Sequence, residues 1–214
     1  VSRVVTLVAL AALGAASAAA QTSVRARLEG RVPAAVVATV DSLVSAAAAR
    51  DLPIEPLIHK ALEGGAKGVP ADRILVAVRL VATRLSTAAS ALDQAGAERS
   101  AAAIEAGAFA LTAGLSGEDV SALVRGARNE PTPVLRVAAT LSALGVPAAE
   151  TVALVTSTTA AGGDVTALPQ TVQASITRGA TPAQAARLAQ GGGGRGQPHG
   201  PPPDRPSRPH PNKP

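Results

Sequence analysis

The chain contains no Cys, Met, Trp or Tyr, and its one aromatic residue from the Phe, Trp and Tyr set is Phe109. The lack of cysteine excludes a disulfide framework, a thiolate metal site and a cysteine nucleophile. The lack of Trp and Tyr excludes an aromatic platform on which bases or sugars would stack. Histidine is scarce as well: His59, His199 and His210 are all there are, so a multi-histidine metal site within one folded unit is excluded. Stability has to come from packing, since no covalent staple is available.

What is present begins with a targeting pattern. Arg3 is the one charge in residues 1–20, and an apolar run follows from Val4 to about Leu13. Small residues come next, with two A-x-A cleavage patterns ending at Ala18 and Ala20. This order is that of a secretory signal peptide. The run is short beside the roughly 20 apolar residues of a spanning helix. Cleaved export to the periplasm or the medium is expected; an uncleaved anchor and a cytosolic apolar first helix are the alternatives. No Cys follows the run, so a lipoprotein anchor is excluded. Val1 reads as a non-ATG start and the Ala, Arg, Gly and Pro bias as a GC-rich genome, so a bacterial source is expected.

Charge divides the chain into three zones. The net charge is +5, but residues 21–190 hold 15 basic and 14 acidic residues and are close to neutral. The excess sits in residues 191–214, where Arg195, Arg205, Arg208 and Lys213 face only Asp204. That segment has 8 of the 17 prolines and no Val, Ile, Leu or Phe. It cannot bury apolar surface against the entropy of ordering, so a disordered tail is expected. Its glycines read as a flexible joint and its prolines as favouring polyproline II. By contrast, residues 21–190 carry 42 Val, Ile and Leu residues, about a quarter of the segment, which is enough for a folded core. The core should be thin, because alanine dominates the remaining apolar content and buries little area.

The expected fold is all-α. No segment sustains period-2 alternation, whereas four stripes step by three and four residues. These are Val36, Val40, Leu43 and Ala47; Ile74, Val78, Val81 and Leu85; Val120, Leu123, Val124 and Ala127; and Val165, Leu168, Val172 and Ile176. A junction recurs between them: Gly, an apolar residue, then Pro, Ser or Thr. It stands at Gly68–Val69–Pro70, Gly114–Leu115–Ser116, Gly145–Val146–Pro147 and Gly179–Ala180–Thr181. The glycine suits the left-handed position after a helix end, and the apolar residue folds back on the last turn. Ser116 with Asp119, and Thr181 with Gln184, have capping-box spacing, and Pro182 suits a first helical position. Asp51–Leu52–Pro53 and Glu130–Pro131 read as variants of the junction, and Pro169 as a further start after a short turn from Asp164.

These starts predict helices mostly 12 to 18 residues long, joined by short turns into antiparallel hairpins. Either a compact bundle or a short irregular solenoid would satisfy them. The junction glycines at 114, 145 and 179 are 31 and 34 residues apart, compatible with a two-helix repeat, but Gly68 to Gly114 is 46. The tetratricopeptide pattern needs aromatic residues at fixed places, and these are absent. Residues 86–110 are poorest in large apolar side chains. They read as an Ala-rich helical hairpin with close backbones; a joint between two subdomains is the alternative.

No catalytic, cofactor or metal site is expected. His59 lies four residues from both Glu55 and Glu63, a pattern that reads as a solvated helix face rather than a proton-transfer cluster. No Gly-x-Ser-x-Gly elbow accompanies it. Gly64–Gly68 lacks the ending and the preceding strand of a phosphate loop, and reads as a helix C-terminus with Lys67 against the dipole. The glycine run from 191 likewise fails the dinucleotide pattern. Asp72, Glu118, Asp119 and Glu150 read as helix-start acids. Arg125, Arg128 and Arg136, and Arg73, Arg79 and Arg84, read as solvated surface.

The functional expectation is a non-catalytic exported interaction or scaffold protein with an unidentified protein partner. The alternative is weak, salt-sensitive binding of an envelope polyanion through Arg195, Arg205, Arg208 and Lys213. His199 and His210 would add charge near pH 6 to 7. No specific nucleic-acid partner is expected, nor a membrane span once the signal is removed.

Overall fold

In the computed structural model, residues 24–127 and 130–192 are described; residues 1–23, 128–129 and 193–214 are not. The described chain is all-helical, with no strand among its residues. A first helical segment, α1, covers residues 24–28. It is followed by α2 (Ala34–Ala48), α3 (Glu55–Ala66), α4 (Ala71–Gln94), α5 (Ala101–Thr112) and α6 (Gly117–Gly126). Then come α7 (Pro131–Ala143), α8 (Ala148–Ala160), a 3-10 turn (Val165–Ala167), α9 (Leu168–Thr177) and α10 (Pro182–Gly192).

The predicted junctions stand where the glycines put them. Gly68, Gly114, Gly145 and Gly179 all have positive φ, between 63° and 102°. In each case the following residue donates its N–H to the carbonyl five positions back. Val69 bonds Gly64, Leu115 bonds Ala110, Val146 bonds Leu141 and Ala180 bonds Ser175, at 2.9–3.1 Å. Orphan carbonyls at the helix end are thereby satisfied. Leu115 and Val146 are buried by the same turn. Asp51 supports the variant reading: it is the one described non-glycine residue with positive φ, at 54°, and Leu52 bonds back to Ala47. Ser116 and Asp119 form the expected reciprocal capping box. Thr181 and Gln184 do the same, with Thr181 N–H donating to Gln184 Oε1 at 3.0 Å and Gln184 N–H to Thr181 Oγ1 at 3.3 Å.

Some details differ from the sequence reading. On α2 the buried apolar residues are Val36, Val40, Val44 and Ala47, with Asp41 buried beside them and Leu43 half-buried. Stepping by four from Val40 keeps the stripe on the α4 side, so Val44 takes the core position. α4 runs for 24 residues, longer than expected, while α6 and α9 have 10 each. Residues 86–110 are the end of α4, a turn and most of α5. The start of α5 has no glycine junction immediately before it; Ser100 caps it by accepting from Ala103 N–H. Close backbone packing is the reason this segment needs few large side chains. A Cβ at Gly107 would lie 2.9 Å from Ala88 Cβ, so α4 and α5 approach where both present almost nothing.

Sequential helices pack on one another except α8 and α9, which are linked through the 3-10 turn, and a second set of contacts skips one helix. α4 touches α2 and α6, α8 touches α6 and α10, and α7 touches α5 and α9. The core between them is built of single aliphatic layers (Leu57, Ile58, Ile74, Leu85, Leu92, Ile104, Leu123, Leu135, Leu141 and Leu154) interleaved with buried alanines such as Ala61, Ala88, Ala103, Ala110, Ala138 and Ala185. α4 is the described helix long and apolar enough to cross a membrane by length and composition. Its Ile74, Val78, Leu85 and Leu92 are buried against other helices, and it carries Arg73, Arg79 and Arg84, so it serves here as the central core helix.

Candidate functional site

His59 projects from α3 with its side chain mostly exposed, and its Nε2 stands 3.7 Å from Glu55 Oε2, beyond hydrogen-bond distance. Glu55 is held elsewhere. Arg27 on α1 grips it with two parallel bonds of 2.7 Å, which tie α1 to the start of α3 and keep Glu55 below the usual carboxylate range. Glu63 turns from His59 to Lys60 at 2.8 Å and Lys67 at 2.5 Å. Those hydrogen bonds, Lys60 first, bring its pKa down to about 2. The three residues are therefore a solvated face of ion pairs, and no group of three metal-competent side chains occurs among the described residues.

The Gly64–Gly68 stretch ends α3, which runs to Ala66. Its glycines are explained by packing. A Cβ at Gly65 would stand 2.2 Å from the Arg31 carbonyl oxygen, and one at Gly64 would stand 2.7 Å from Ile74 Cγ1. The C-terminal turn of α3 is thus wedged between the α1–α2 turn and α4. Among the arginines, Arg125 bonds Ser121 Oγ at 2.8 Å within α6, and Arg136 is exposed on α7. Arg128 lies outside the described residues, as do the tail cations Arg195, Arg205, Arg208 and Lys213, the histidines His199 and His210, and the signal segment 1–20.

Two features were not read from the sequence. Arg25 on α1 donates through Nε to Asp41 Oδ2 at 2.9 Å, while Asp41 Oδ1 is buried without a partner. A carboxylate at position 41 interrupts an apolar α2, which is the signal that could have exposed this clasp. The second is Phe109, half exposed at 50%. With Glu105 one turn earlier on α5, it forms a ridge between two grooves. One, about 200 Å³, is lined by Pro56, Val81, Arg84 and Leu85 as well as the ridge. The other, about 360 Å³, is lined by Arg136 and Thr140 of α7. The signal was there in outline: the single Phe sits on an Ala-rich helix whose core face is already filled by Ala103, Ile104, Ala106 and Ala110.

The arrangement can bind through apolar contact and scattered charge. Val76 and Leu80, four residues apart on α4, are also exposed, at 64% and 46%, beside Arg73 and Arg79. Comparison with protein families, with curated proteins and with solved structures finds no match for this chain.

Proposed function

We propose that this chain is a non-catalytic exported interaction scaffold, acting in the periplasm or outside the cell after removal of residues 1–20 near Ala18 or Ala20. The observation that carries the reading is that Val76, Leu80 and Phe109 stand exposed on helices whose core faces are already filled. A partner that covers them removes apolar surface from water, at about 25 cal/mol per Å². The carboxylates nearest His59 are tied to Arg27, Lys60 and Lys67, which supports a structural role for them. We read the fold as a short irregular solenoid of antiparallel hairpins rather than a bundle. The succession α2–α4–α6–α8–α10, flanked by α5–α7–α9, supports this, since in a stack each unit meets only its neighbours.

Affinity capture from an envelope fraction tests the function. The full chain is expected to hold the same proteins at low and high salt, and Val76→Asp with Leu80→Asp is expected to release them. Capture that ignores these substitutions sinks the reading. A second reading, weak polyanion binding through Arg195, Arg205, Arg208 and Lys213, is favoured by the concentration of net charge there. It predicts retention that disappears at high salt and on neutralising those four residues. Export is tested by N-terminal sequencing of the extracytoplasmic protein, expected to begin near Ala19 or Gln21.

A further inference from the structure

The solvent faces of α4, α5 and α7 carry an excess of unpaired positive charge around exposed apolar side chains. On α4, Arg73 and Arg79 lie three residues either side of Val76, and Arg84 lies four residues after Leu80, so each apolar residue has a cation one turn away. Arg84 also lines the groove beside the Phe109 ring, together with Val81, Leu85 and Ala108. Arg136 lines the second groove, on the α7 side of Phe109. Arg73, Arg79, Arg84 and Arg136 make no ion pair among the described residues. The acids on the same helices are fewer. Asp72 is at the start of α4, Glu105 is one turn before Phe109, and Asp93 is held by Arg99 at 3.8 Å.

We propose that this face receives an acidic amphipathic helix of a partner protein. The helix seats a large apolar side chain in the groove of about 200 Å³ beside Phe109 and turns its carboxylates toward Arg84 and Arg136. The proposal rests on the scaffold reading and adds the chemistry of the partner to it. The groove lies between residues of α4 and of α5, and an apolar stripe repeating at three and four residues fits a groove of that kind. Unpaired arginines around it attract an anionic partner and repel a cationic one. Glu105, on the ridge, marks the point at which the partner carries no acid. A second copy of this chain is a poor occupant, because it brings the same arginines and like charges meet. A flat anionic bilayer does not follow a groove, and it would have to meet the Glu105 carboxylate on the ridge.

Phe109 reports occupancy directly. With no Tyr or Trp present, its ring resonances stand clear of other aromatic side chains except histidine. The full chain is titrated with two synthetic peptides of about 20 residues, long enough to form a helix in water. Both repeat Leu at three- and four-residue steps; one fills the polar face with Glu and the other with Lys. The Glu peptide is expected to move the Phe109 resonances saturably, and the Lys peptide to bind at least roughly tenfold more weakly. Arg84→Glu with Arg136→Glu is expected to reverse that preference, which a misfolded chain does not do. If that variant loses helicity, Arg136→Glu alone, at an exposed position, is expected to narrow the preference. Equal effects of the two peptides overturn the proposal, as do Phe109 resonances that ignore the Glu peptide. Binding that survives both arginine substitutions but is lost on neutralising Arg195, Arg205, Arg208 and Lys213 also overturns it, because the peptide is then held by those four. Movement of Phe109 by phosphatidylglycerol vesicles and not by the Glu peptide overturns it in favour of a bilayer. The scaffold reading fails separately, through envelope capture that ignores Val76→Asp with Leu80→Asp, whatever the peptides do.

Discussion

Gly65 and the Arg31 carbonyl oxygen are so close that a Cβ at position 65 would stand 2.2 Å from that oxygen. The contact brings the last turn of α3 against the α1–α2 turn, while Arg27 on α1 grips Glu55 at the other end of the same helix. Gly65→Ala must push backbone apart, which lowers stability by about 1–3 kcal/mol, in line with overpacked sites. Gly191→Ala is the matched control, because nothing lies within 4 Å of a Cβ there. Thermal melts should show a drop of several degrees for the first and none for the second.

Asp51 holds the left-handed position that glycine holds at the other junctions, with φ 54°. Relieving the Cβ strain stabilises the α2–α3 turn, so Asp51→Gly should gain about 1 kcal/mol. Gly145→Ala, at φ 85°, should lose about the same. Denaturant midpoints moving the other way would show that the Asp51 carboxylate supports the turn by some further contact.

Arg25 and Asp41 are unequal partners. Arg25 is half exposed, at 57%, whereas Asp41 is nearly buried and leaves Oδ1 unbonded. Removing the cation leaves a buried carboxylate with neither oxygen paired, which costs about 1–3 kcal/mol. Removing the carboxylate leaves an arginine that water can solvate. Arg25→Ala should therefore destabilise more than Asp41→Val, and the double substitution should resemble Asp41→Val alone. Urea unfolding of the three variants checks the order; equal losses from the two single variants would refute it.

Glu63 should titrate with a midpoint of about 2, because Lys60 and Lys67 both hydrogen-bond its ionised form. A folded-state pKa below the unfolded value means the group favours the folded state above the ordinary carboxylate range. That contribution is lost as pH falls through the depressed value. The site is open to solvent, so the effect on stability is small and the titration itself is the better readout. Carboxyl carbon shifts followed by NMR should show the midpoint return toward about 4.3 when both lysines are replaced by Ala. An unchanged low midpoint would assign the shift to another source.

Helix identity and most boundaries were legible in the residues. Gly114, Leu115 and Ser116 each have a local reason to end one helix or begin the next, and these reasons act within one turn of chain. Asp51 could be matched to the same junction because Asp tolerates the left-handed region. The α5 start was harder to see, since its glycine junction, Gly96–Ala97, ends α4 four residues before the Ser100 cap, and alanine faces carry little periodic contrast. His59 was read correctly as surface from the absence of any second ligand. The exposure of Phe109 was not read from the sequence, because exposure of one side chain depends on what its neighbours bury.

Local chemistry thus determined which residues are helical and where most helices stop, because caps, turns and periodicity are set within a few residues. Tertiary structure decided the rest. It chose Val44 over Leu43 for the core and required glycine at 64, 65 and 107 through close approach of distant backbone and side chains. It left Asp41 half satisfied beside Arg25, and it set Phe109 as a ridge between α4 and α7. Those outcomes follow from which helices meet, and alanine-rich faces of similar energy do not encode that choice in any short stretch of sequence.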